Sequence, residues 1–166
     1  MKKLYFLILG ASLLFLSSCE NEIEPGENPL MEMSNEWWVH LLADDGSGEL
    51  VDVYHVGYFR MLTSSTASNS ADSIFVDDFG DVAELRAKVA VNASNLSFTN
   101  GDEPVLERYT DGEVIIKNGK ILPDVGRSSS GVQVDSIYFE VEFDWDPGTQ
   151  YVIAGHARTG YTEDEH

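Results

Sequence analysis

"SIYFEVEFDWD" (Ser136–Asp146) alternates without a break. Ile137, Phe139, Val141, Phe143 and Trp145 fall on one side, and Tyr138, Glu140, Glu142, Asp144 and Asp146 on the other. A period of two buries one face of a strand, and no helix could collect those residues on one side. "DPG" (Asp146–Gly148) then turns the chain, and "TQYVIAGHARTGY" (Thr149–Tyr161) is the returning strand. The same reading extends upstream. "WWVHLLA" (Trp37–Ala43) and "LVDVYHVGYFRMLT" (Leu50–Thr63) flank the turn-rich "DDGSGE" and read as a hairpin. "SIFVDDFG" (Ser73–Gly80) is a short strand after a polar loop. "AELRAKVAVNA" (Ala83–Ala93) puts Leu85, Ala87, Val89 and Val91 on one face, which favours strand over helix. Asn100-Gly101, Asp111-Gly112 and Asn118-Gly119 are hairpin cues. About eight strands joined by short turns predict an all-β sandwich or an up-and-down barrel.

The chain begins differently. Lys2 and Lys3 precede an apolar run, Leu4–Leu16, of the length of a signal-peptide core and too short to span a bilayer. Ser17 and Ser18 then precede Cys19, the single cysteine. Leu-Ser-Ser-Cys resembles the lipobox of bacterial lipoproteins, whose cysteine is acylated and becomes the new N-terminus. With no second cysteine, no disulfide forms within the chain. Residues 1–18 are read as a lipoprotein signal peptide and 19–35 as an acidic tether with two prolines and no period. Residues 36–166 are read as the barrel domain. The acids after Cys19 resemble sorting signals that send lipoproteins to the outer face of the outer membrane, so the expected place is the cell envelope.

Losing residues 1–18 from the 166 leaves 148, enough for one domain with a real core. Losing their two lysines takes the formal charge from −19 to −21. Such a surface repels phosphates, which argues against nucleic acid and against membrane binding through a basic patch.

Two stretches carry a family resemblance: "TASNSADSIFVDDFG" (Thr66–Gly80) and "DSIYFEVEFDWDPGTQYVIAGHARTGYTED" (Asp135–Asp164). Together they resemble the bacterial lipoprotein family named lipid-binding putative hydrolase, with a calycin, that is lipocalin-like, barrel. The resemblance implies lipid binding and a hydrolytic activity, and assigns no catalytic residue. An eight-stranded barrel has room for one small ligand.

Motifs for chemistry are sparse. Gly-x-Ser-x-Gly is absent, and "RSSSG" (Arg127–Gly131) reads as a flexible loop. The histidines are His40, His55, His156 and His166. No His-x-x-x-His or calcium-loop spacing occurs, so neither metal nor cofactor is expected. "DDFGD" and "DWDPG" are read as turns. His156 and Arg158 share a strand face with Val152 and Ala154 and could take a fatty acid's carboxylate inside a barrel. Alternatively Arg158 pairs with an acid at the rim and His156 is structural. Arg60, beside Tyr58, raises the same two readings. Asp72-Ser73-Ile74 and Asp135-Ser136-Ile137 resemble a bacterial O-glycosylation acceptor, or are turns before strands. The expected function is a membrane-anchored module holding a small apolar ligand. The rivals are a lipid or ester hydrolase and a structural envelope lipoprotein. An apolar cavity favours the first, a serine–histidine pair the second, and a filled barrel the third.

Overall fold

The computed structural model describes residues 28–166. Ten strands follow in order: β1 Asn35–Asp44, β2 Leu50–Val51, β3 Phe59–Ser65, β4 Ser73–Asp77, β5 Arg86–Asn92, β6 Ser97–Thr99, β7 Val105–Leu106, β8 Glu113–Arg127, β9 Gln133–Phe143 and β10 Tyr151–Ala157. Eight of them close a barrel. Neighbours run β10-β9-β8-β6-β5-β4-β3-β1, every pair is antiparallel, and β1 pairs back to β10. β2 and β7 are short additions to β1 and β8. Closure pairs each of the eight barrel strands on both sides. Of the sandwich and barrel that the alternation left open, the fold found is the barrel that the resemblance implied.

The registers assign the faces. Trp37 pairs with Ala157 and Met61, Val39 with Gly155 and Phe59, and Leu41 with Ile153, all pointing inward. Ile137, Phe139, Val141 and Phe143 point inward at 0–1% exposure. Phe98 meets the Phe139 ring at 5.5 Å. Trp37 donates its indole N–H to Thr63 Oγ1 at 2.9 Å. The interior is thus filled by side chains. The first 3-10 turn, Met31–Met33, plugs the end at which the chain enters, with Leu30 and Met33 at 0–1% exposure. The last part of the segment read as a tether therefore packs on the barrel.

Three expectations change in detail. β9 ends at Phe143, so Trp145 lies in the following turn, stacked on Phe143 at 4.9 Å and 53% exposed. Asn118-Gly119 makes a bulge inside β8 rather than a hairpin, where the register shifts between Lys117 and Lys120. A β-carbon at Gly119 would stand 2.4 Å from the Phe98 ring, so the close approach demands glycine. Residues 52–58 are turns and irregular chain, and the strand expected across Leu50–Thr63 divides into β2 and β3.

The loops at the far end are rigid for a local reason. Asp78 is fully buried and accepts backbone N–H bonds from Gly80, Val82, Ala83 and Leu85. Burial raises its pKa, against the pull of those four donors. Asp77 takes the Tyr109 hydroxyl at 2.7 Å and pairs with Arg86. The Asp77 and Asp78 carboxylates of "DDFGD" are thus both engaged.

Candidate functional site

The long hairpin of β8 and β9 overshoots the barrel. A second register shift, between Leu122 and Gly126, bends it. It crosses the outer side of β10, where a β-carbon on Gly126 would meet His156 Cβ at 3.1 Å. The residues after β10 fold back beside it. Asp164, in the terminal 3-10 turn Thr162–Asp164, accepts from Ser130 N at 2.6 Å and from Thr159 Oγ1 at 2.7 Å. Burial pushes the Asp164 carboxyl up, but these bonds and Ser128 prevail and hold it at about 2. Hairpin and terminal segment together cover part of the outer face of β1, β3 and β10.

That face holds all four ligand-binding candidates. Trp38 pairs with His156 on one side and Arg60 on the other, so these point outward, opposite to Trp37, Val39 and Leu41. The structure thus places Arg158, His156, Arg60 and Tyr58 outside the barrel, not around an interior ligand. The reason is that β1 and β10 carry apolar residues on both faces, and Val152, beside them, is buried on the outside. Tyr58 is the hub: its ring lies 3.9 Å from His40, 4.0 Å from His166 and 5.5 Å from His156. Arg158 is bound by Glu165 and Glu36, which raise its pKa further. His156 is 7% exposed with Nδ1 3.1 Å from the Ala157 carbonyl. Arg60 makes no ion pair among the described residues and sits over the Phe79 ring at 5.1 Å.

One serine–histidine contact forms, and not at His156 or His55. Ser129 Oγ lies 3.2 Å from His166 Nε2. Burial, then the neighbouring His156 and His40, lower the His166 pKa, so its imidazole can accept a proton. Among the described residues no carboxylate hydrogen-bonds that ring, and Ser129 is exposed on a loop. The pair lacks the third group that orients a catalytic base.

Two larger hollows lie outside the barrel. One, of about 460 Å³ and mostly apolar, is lined by Pro29, Leu30, Met31, Met33, Ala93 and Leu96, beside the plug. Its size falls in the range of small-molecule sites. The other, of about 690 Å³ at the far end, is walled by Asp81, Glu84, Asp111 and Asp144 next to Trp145, and repels anions. Among the described residues no group of three His, Cys, Asp or Glu is placed to hold a metal. The two Asp-Ser motifs are engaged: Ser73 Oγ donates to Asp72 and Ser136 Oγ to the Gly155 carbonyl. Cys19 lies outside the described residues. No helix among them is long and apolar enough to cross a membrane.

A family model described as lipid-binding putative hydrolase matches residues 22–162, and the chain belongs to that family. The comparison with curated proteins finds no match. The family and the barrel together support binding of a lipid or other apolar ligand.

Proposed function

We propose that this protein is a cell-envelope lipoprotein, anchored through acylated Cys19, that binds a lipid in the groove beside the Met31–Met33 turn rather than in the barrel interior. The observation that carries the proposal is the groove itself: mostly apolar, about 460 Å³, and formed where the chain enters the fold. Asn28 stands nine positions after Cys19, a stretch that an extended chain spans in about 30 Å at most. An anchor at Cys19 therefore keeps the groove near the bilayer that supplies lipid. Two acyl chains or more would hold the protein there, and the acidic surface disfavours any other electrostatic attachment.

Apolar contact supplies the affinity of such a site. Each buried methylene contributes about 0.8 kcal/mol, so affinity climbs with acyl length until the groove is full. Titration of the purified protein with a fatty-acid series tests this. Saturable binding should strengthen with length and weaken about tenfold or more in Met31→Asp. Met31 is 69% exposed, so the fold tolerates the change. A folded protein with no saturable binding at any length overturns the reading. That outcome would favour the structural role, to which the filled barrel already points. Ester hydrolysis lost in Ser129→Ala would instead promote the hydrolase, whose geometric support is the Ser129–His166 contact.

A further inference from the structure

Among the described residues, two buried polar atoms on the outer face have no hydrogen-bond partner: Trp38 Nε1 and His40 Nδ1. Trp38 is only 6% exposed. Unsatisfied buried groups are rare and call for an explanation. These two are two residues apart on β1, so they face the same side. On β3 the cross-strand neighbour of Trp38 is Arg60, free of ion pairs among the described residues. Its guanidinium lies over the Phe79 ring at 5.1 Å, so no carboxylate of the described residues neutralises it. Arg158, close by, is instead bound by two glutamates.

We propose that Trp38, His40 and Arg60 form a binding site for a carboxylate. Its two oxygens accept hydrogen bonds from the Trp38 indole N–H and from His40 in the tautomer that protonates Nδ1, and Arg60 supplies the positive charge. The His166 ring is the cover. It stacks on Tyr58 at 4.0 Å and meets the Trp38 edge at 5.4 Å, yet its one hydrogen bond goes to Ser129. It occupies the approach without satisfying either orphan atom. The site does not depend on the lipid groove. Its three residues lie on β1 and β3, and none of them lines the groove.

The indole N–H resonance of Trp38, identified by its loss in Trp38→Phe, reads the site directly in the full-length protein in detergent. Acetate and octanoate are the probes, with octanol as the uncharged control. The expected result is a saturable downfield shift with a carboxylate and none with octanol. A shift with both acids assigns a general carboxylate site, and a shift with octanoate alone assigns the carboxylate of an acyl ligand. Arg60→Met should weaken the response about tenfold. Arg60 is exposed, so folding is not at stake. His166→Ala should strengthen it several-fold by lifting the cover. If neither acid moves the resonance in wild type or in His166→Ala, the site does not exist and a trapped water satisfies the pair. An equal shift with octanol also overturns the proposal, because the charge is then not read. Lipid binding at the groove stands or falls separately, by the Met31→Asp titration.

Discussion

The two faces of β1 differ as much as any two regions of this molecule. On the inner face Trp37, Val39 and Leu41 are 0–2% exposed, and Trp37 passes its indole N–H to Thr63. On the outer face the next residue, Trp38, is nearly as buried, yet its indole N–H has no partner. The inner face is closed by eight strands that each contribute to one apolar core. The outer face is closed by a bent hairpin and the terminal segment, both held through side-chain hydrogen bonds and ion pairs. Equal burial therefore does not mean equal purpose. Dry packing spends every polar group on the fold, while the covered outer face leaves donors and an arginine uncommitted.

The strongest test of that contrast is a large-to-small change in the inner core. Phe139 is fully buried against Phe98. Phe139→Ala should cost about 3–5 kcal/mol, the range for an aromatic removed from a packed interior. Denaturant unfolding measures it. A loss under about 1 kcal/mol would mean that the interior adapts, and would reopen it as a place for a ligand.

The adjacent tryptophans sharpen the comparison. Trp37→Phe removes a buried hydrogen bond and leaves Thr63 Oγ1 without its indole donor, for about 1–3 kcal/mol. Trp38→Phe removes a donor that bonds nothing, and stability should stay within about 0.5 kcal/mol. The same chemical change at consecutive positions should thus give unequal effects. Equal losses would show that Trp38 has a polar partner in solution, and would count against an open carboxylate site.

The legible part of this fold was the part with one clean period. Strand β9 could be read directly, because polar and apolar residues alternate and its outer face is solvated. Strand β5 shows the same alternation, with Ala87 and Val89 buried and Arg86, Lys88 and Ala90 exposed. Strand β1 announced a strand but not its inward face, since "WWVHLL" is apolar on both sides and only closure against β3 and β10 decides. This is why the two-residue spacing of His156 and Arg158 leaves open in the sequence whether their shared face looks into the barrel or out of it. Asn118-Gly119 read as a turn because the dipeptide favours positive φ, and Asn118 has φ 53°. The pairing of β8 with both β6 and β9 turned that preference into a bulge. The plug at Leu30 and Met33 shows no period, and the outer site joins β1, β3 and the terminal segment, residues that no local window contains. Groove and site alike are products of long-range contact.

The smallest effect lies in the cover. The His166 pKa is depressed in the folded protein, chiefly by burial and then by His156 and His40, against the pull of Asp164 and Glu165. A base with a lowered folded pKa favours the docked state while neutral. Its contribution is present above the unfolded value near 6.5 and is lost as pH falls through the lower folded value. Docking of His166 on Tyr58 should therefore weaken below about pH 6.5. Asp164, held at about 2, stays ionised and keeps its bond to Ser130, so release is confined to the ring rather than to the whole segment. Proton NMR of the His166 ring follows both changes: a titration midpoint below that of an exposed histidine, and loss of the Tyr58 ring-current shift across the same range. A midpoint at or above 6.5 would mean that the ring is not buried on Tyr58. The outer face would then be open at every pH, and His166→Ala would no longer strengthen carboxylate binding.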